Sequence, residues 1–133
     1  MNTRRPPASR GTVAVVDDDQ GVRAALCNLL DSAGYRGCGF AAAEEFLASA
    51  CLRRAACAIV DIELARMSGF ELLEHLAQAR PGLPVIFVSA HCGAADLRRA
   101  AELGAAALLA KPVDADTLLA HVRTAMAASG TGA

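Results

Sequence analysis

Five times along this chain a short block of apolar residues is followed by a stretch whose apolar positions recur at three- and four-residue steps. The blocks are Thr12 to Val16, Tyr35 to Phe40, Cys57 to Val60, Pro84 to Val88 and Ala106 to Ala110. The second is weakened by Gly37 and Gly39. Between and after them run helical patterns. The first carries Val22, Leu26, Leu29, Leu30 and Ala33, with Asp19 as a cap and Gly34 as a stop. The second spans about 42–50, and the third carries Phe70, Leu72, Leu73 and Leu76 before Pro81-Gly82. The fourth runs to about Leu103 and stops at Gly104, and the last shows Leu118, Leu119, Val122 and Met126 on one face. Strand and helix alternating with short connections means βαβ units. The expected fold is α/β, a doubly wound five-stranded parallel sheet with helices on both faces. Its central strands are continuously apolar, as burial on both faces requires.

A length of 133 residues is that of one ordinary domain with a real core. The formal net charge of -1 gives no reason to expect nucleic acid or an acidic membrane as partner. The one basic cluster, Arg4, Arg5 and Arg10, lies in a Pro-containing segment read as a disordered tail over 1–11. Residues 128–133 are read as a flexible end. Residues 1–12 lack the apolar stretch of a signal peptide, and no run reaches the ~20 apolar residues of a membrane span. Cys27, Cys38, Cys51, Cys57 and Cys92 are odd in number and lack C-x-x-C spacing, which fits core filling in a reducing cytoplasm. Lys111 is the only lysine among thirteen basic residues. One reading is drift; the other is a place that needs a compact ammonium, which a planar guanidinium cannot replace.

The chemically loaded residues share one placement. Asp17 and Asp18 follow the first strand, Asp61 the third, Ser89 the fourth and Lys111 the fifth. In an open parallel sheet the carboxyl ends of the strands form the ligand crevice, where strand order reverses. Three carboxylates, a hydroxyl and an ammonium thus converge. Carboxylates at that density repel one another without a cation, and all-oxygen donors suit Mg2+. A divalent ion beside Lys111 makes a positive pocket for an anion, and a carboxylate there can attack a phosphoryl group. Taken singly, each feature has a plainer reading. Strand-end aspartates are common helix caps, and a Lys-Pro pair is commonly a turn.

The motifs V-V-D-D-D at 15–19, V-D-I-E-L-A-R-M-S-G at 60–69, V-S-A at 88–90, G-A at 104–105 and K-P at 111–112 occur in one order and spacing. In these the chain resembles the receiver domains of bacterial two-component response regulators, over about residues 12–127. The resemblance implies a flavodoxin-like strand order 2-1-3-4-5. It implies Asp61 as phosphoacceptor, taking a phosphoryl group from a sensor histidine kinase, with Asp17, Asp18, Asp61 and the backbone carbonyl of Glu63 holding Mg2+. Asp19 competes for a place in the acidic pair, but the family places the pair on the first two aspartates. Ser89 and Lys111 would each bind a phosphoryl oxygen, and the Lys111-Pro112 peptide is expected to be cis. Glu63 and His91, each two residues beyond a site residue, are candidates for tuning the lifetime of the phosphate. His75 and His121 are read as surface residues without a role.

Three positions depart from the family pattern: Ala65 stands for a common Pro, Val113 for an aromatic, and Leu108 for the aromatic that swings inward on phosphorylation. The chemistry is expected to survive, while the usual aromatic switch cannot operate. Phosphorylation would bias a surface around the helix after strand four and the fifth strand, and the chain would be a kinase substrate, not a turnover enzyme. The other classes weighed are a magnesium-dependent phosphatase or phosphotransferase and a phosphorylation-independent adaptor. The first usually has Asp where this chain has Glu63. Met1 and its tail read as a natural N-terminus. No output domain is visible, so the downstream partner is either another protein or an output domain of a longer regulator. Homodimerisation is common in the family, and nothing here specifies it.

Overall fold

The computed structural model describes residues 10–130, with the side chains of 129 and 130 left aside. Residues 1–9 of the expected tail and 131–133 of the expected flexible end lie outside the described residues. In chain order the elements are β1 (Thr12–Val16), α1 (Gln20–Ser32), β2 (Arg36–Phe40), α2 (Ala43–Leu47), α3 (Cys51–Arg54), β3 (Ala55–Asp61), α4 (Gly69–Ala79), β4 (Val85–Ser89), α5 (Ala94–Glu102), β5 (Ala107–Ala110) and α6 (Ala115–Gly130). All five strands pair in parallel in the order β2-β1-β3-β4-β5, the expected doubly wound sheet.

Strand periodicity divides the core into two layers. Ala14, Val16, Ala58, Val60, Val85 and Phe87 face one side, where Phe46 of α2, Leu72, Leu73 and Leu76 of α4 and Ala100 of α5 cover them. Val13, Val15, Cys57, Ile59, Ile86 and Val88 face the other, under Leu26 and Leu30 of α1 and Leu118 and Val122 of α6. The third strand starts two residues earlier than the apolar run indicates, because Ala55 still pairs with Thr12.

The helix expected over 42–50 stops early, at Leu47, and the separate turn of α3 follows it at Cys51–Arg54. Ser49 turns back on the end of α2: its N–H and its hydroxyl both donate to the Phe46 carbonyl, at 3.0 and 2.8 Å. A serine that satisfies the last carbonyls in this way competes with continuation of the helix. The end of α1 follows expectation, with Gly34 at φ +94°, a conformation in which a Cβ is strained. At the amino-terminal end of the sheet, the Arg10 N–H donates to the Gly34 carbonyl at 2.8 Å.

The two glycines that weaken β2 as a strand are the seat of α1. A Cβ at Gly37 would lie 3.0 Å from the Cα of Cys27, and one at Gly39 would lie 2.9 Å from Cγ of Arg23. Arg23 and Cys27 are four apart and so share one face of α1. That face rests directly on the β2 backbone.

The thiols are all free. Burial pushes Cys57 up to about 12, and burial with the neighbouring Cys38 pushes Cys51 up to about 11, so both are core fillers.

Candidate functional site

Asp17, Asp61 and Ser89 are the buried polar residues of the described chain, and all three stand at carboxyl ends of strands. Lys111 follows β5, and its N–H donates to the Ser89 carbonyl at 2.8 Å, which closes the fifth strand end onto the fourth. Its ammonium lies 3.0 Å from Asp17 Oδ2 and 3.1 Å from Asp61 Oδ2. Burial pulls this lysine down, but the two carboxylates of Asp17 and Asp61 beside its ammonium outweigh it and hold Lys111 above its ordinary value of 10.5. The Lys111-Pro112 peptide is cis.

Each carboxylate is oriented by its own loop. Asp17 Oδ1 accepts from the Asp19 N–H at 2.9 Å, and Asp61 Oδ1 accepts from the Glu63 N–H at 3.0 Å. Asp19 turns to α1, taking the Val22 N–H at 3.0 Å as a helix cap. It is therefore withdrawn from the acidic group, which consists of Asp17, Asp18 and Asp61, with ligand atoms within 4.8 Å of one another. Asp17 and Asp61 are buried, and Asp18 is exposed on the solvent side.

The donor set fits a hard divalent cation. Asp17 Oδ2 is buried and has no hydrogen-bond donor aligned on it. The 3.0 Å approach of Lys111 is close enough for charge attraction, so that oxygen is paired electrostatically but open to a further cation.

Gly69 keeps the β3 exit in place. A Cβ there would lie 2.6 Å from the Asp61 carbonyl oxygen and 2.8 Å from Cα of Ile62. The Gly69 N–H donates to the Ile62 carbonyl at 2.9 Å, and Ser68 with Glu71 forms a capping box that starts α4. The return of the loop thus requires glycine for space.

Ser89 is engaged within its own loop. Its hydroxyl donates to the His91 carbonyl at 2.8 Å and accepts from the His91 N–H at 3.0 Å. The side chains of His91 and Glu63 are exposed beside these loops. His75 is exposed and His121 half-buried. Leu108 pairs in register with Phe87 and is half-buried against the α4 and α5 layer, where Phe70 meets Phe87 edge-on at 5.1 Å.

One residue of this constellation was not singled out in the sequence. Arg23 reaches from α1 to donate from Nη1 to the Asp17 backbone carbonyl at 2.7 Å. Its signal is faint: an arginine six residues beyond the first aspartate, on the face of α1 that meets two glycines.

A parallel sheet in this order, with clustered acids and a lysine at its carboxyl edge, defines an α/β domain whose crevice suits a divalent cation beside an anion. Residues 13–123 match the family model of the response regulator receiver domain. The response regulator protein TmoT of Ectopseudomonas mendocina is 33% identical over 114 residues, covering 86% of this chain and 52% of TmoT. The transcriptional regulatory protein FixJ of Bradyrhizobium diazoefficiens is 30% identical over 118 residues, covering 89% of this chain and 58% of FixJ. A CheY-like response regulator receiver domain protein from Methanospirillum hungatei has a crystal structure that superposes with a TM-score of 0.85 at 28% identity, covering 94% of this chain and all of that one. The chain belongs to the response regulator receiver domain family of two-component signal transduction. It spans about half the length of the curated relatives TmoT and FixJ. Among the described residues no helix is long and apolar enough to cross a membrane.

Proposed function

We propose that Asp61 is the phosphoacceptor, charged by the phosphohistidine of a sensor histidine kinase. Asp17, Asp18, Asp61 and the Glu63 backbone carbonyl would hold Mg2+. The observation that carries this reading is the buried Asp61 carboxylate, 3.1 Å from the single lysine and within the same acidic group as Asp17 and Asp18. An Asp61 oxygen attacks phosphorus, the P–N bond breaks onto the imidazole, which takes a proton from solvent, and an aspartyl phosphate remains. A bound divalent cation would supply charge neutralisation for the phosphoryl oxygens. Lys111 exchanges Asp61 Oδ2 for a phosphoryl oxygen. Ser89 gives up its two bonds to the His91 backbone for another. That exchange loosens the loop 90–93 that leads into α5. With Leu108 in place of an aromatic, the readout falls to the movement of α5 and β5 themselves.

Charging by such a kinase would take place in the cytoplasm. The chain acts as a kinase substrate without turnover. Its effect passes to a downstream protein, to an attached output domain, or through a second copy of the chain.

The test is labelling with acetyl phosphate and MgCl2, followed by mass spectrometry. The parent takes one phosphoryl group, chelation prevents it, and Asp61→Asn takes none; equal labelling of Asp61→Asn overturns the reading. Glu63 and His91 are proposed to tune the lifetime of the label, since both are exposed beside the loops that carry Asp61 and Ser89 and could act on an attacking water. Unchanged half-lives in both Glu63→Ala and His91→Ala reject that role.

A further inference from the structure

The carboxylates of the acidic turn are only as well placed as the Asp17 backbone that carries them. Its N–H donates to the Phe40 carbonyl at 3.0 Å, and its own carbonyl accepts from Arg23 Nη1 at 2.7 Å. Both bonds lead to the last residues of β2. The Phe40 bond does so directly. The arginine does so because its stem lies flat on Gly39, where a Cβ would sit 2.9 Å from Cγ and 3.1 Å from Cδ. Gly39 has no positive φ, so its backbone accepts alanine and the objection to a side chain there is Arg23.

We infer that Arg23, seated on Gly39, is a positioning residue for the divalent cation: it clamps the Asp17-Asp18 peptide so that both carboxylates face the crevice. The inference rests on the proposed Mg2+ site. Outer partners of metal ligands commonly change affinity by about 10- to 100-fold when removed. A guanidinium close to an acidic group also has an opposite effect, because its charge repels an incoming cation. The two effects differ in sign. If Arg23 acts only through its charge, its removal tightens Mg2+ binding; if it acts as a clamp, removal weakens it.

The experiment is a MgCl2 titration of the unphosphorylated full chain, followed through the backbone amide shifts of residues 17–19 and 61–63. Arg23→Met keeps the stem over Gly39 and removes every donor. It is expected to raise the dissociation constant for Mg2+ about 10-fold. Gly39→Ala keeps the arginine and displaces it, and should weaken binding in the same direction. The double variant should be no weaker than Arg23→Met alone, because both changes break one connection. Unchanged or tighter binding in Arg23→Met overturns the inference, as does a Gly39→Ala effect that adds in full to that of Arg23→Met. A parent chain whose site amides do not respond to MgCl2 rejects the proposed metal site itself, and is told apart from these outcomes by the parent titration.

Discussion

Lys111 shows how one cation can hold an acidic edge together. Its ammonium stands between two buried carboxylates and offsets their repulsion. This pairing raises it above 10.5 in spite of partial burial. A base raised in the folded state contributes stability that is complete below its unfolded value and is lost as pH rises through the folded one. The urea-unfolding free energy of the parent should therefore fall over the interval above about pH 10.4. Lys111→Met should fall less steeply over that interval. Parallel profiles would show that the lysine titrates alike in both states. Arginine is a poor substitute here, because two carboxylates on either side of one Nζ suit a compact charge and not a planar fork.

At the scale of elements, the capping box and the close approach at the start of α4 do different work. Ser68 and Glu71 satisfy the first amides of the helix, and the box is local. Ser68→Ala should cost about 1 kcal/mol in urea unfolding and leave acetyl-phosphate labelling unchanged. A methyl at Gly69 would meet the Asp61 carbonyl and Ile62 Cα, both backbone atoms with little room to yield. Gly69→Ala should cost about 3 kcal/mol and reduce labelling of the protein that remains folded. Equal labelling of folded Gly69→Ala and parent would separate this contact from the geometry of Asp61.

By contrast α5 is lightly held. Ala100 is its buried residue, Leu97 is half exposed, and its ion pair from Arg99 to Glu74 at 3.3 Å lies in solvent. Such a pair is worth about 0–1 kcal/mol. Few buried contacts and a loop at its start that depends on Ser89 leave α5 with little to lose by moving.

For the whole molecule, two apolar layers hold the sheet, and the polar edge is a place where stability has been given up for chemistry. Asp17, Asp18 and Asp61 sit together, with Lys111 paired to two of these carboxylates and Arg23 on the Asp17 carbonyl. A cation that binds only the folded chain should recover part of that loss. At ten times its dissociation constant, Mg2+ adds about 1.4 kcal/mol. A thermal melt should show the midpoint rising with MgCl2 in the parent and not in Asp17→Asn. An equal rise in both would place the bound ion elsewhere.

Much of this was legible in the order of residues. Apolar period and strand-end position locate Asp17, Asp18, Asp61, Ser89 and Lys111 at one sheet edge, because a parallel sheet with helical crossovers puts every strand's carboxyl end on the same side. The break between α2 and α3 was not legible, since alanine-rich sequence favours continuation, whereas in the structure both the N–H and the hydroxyl of Ser49 turn back onto the Phe46 carbonyl. Nor was the meaning of Gly37 and Gly39, which weaken a strand by propensity and yet are what α1 rests on. Which aspartate caps α1 and which faces the crevice is likewise a matter of side-chain direction at three consecutive acids. The sequence by itself determined the layers, the strand ends and the chemical inventory, because these follow from periodicity along the chain. Only the tertiary structure decided what each group touches, including Arg23 on the Asp17 carbonyl, because those contacts join segments that no local pattern relates.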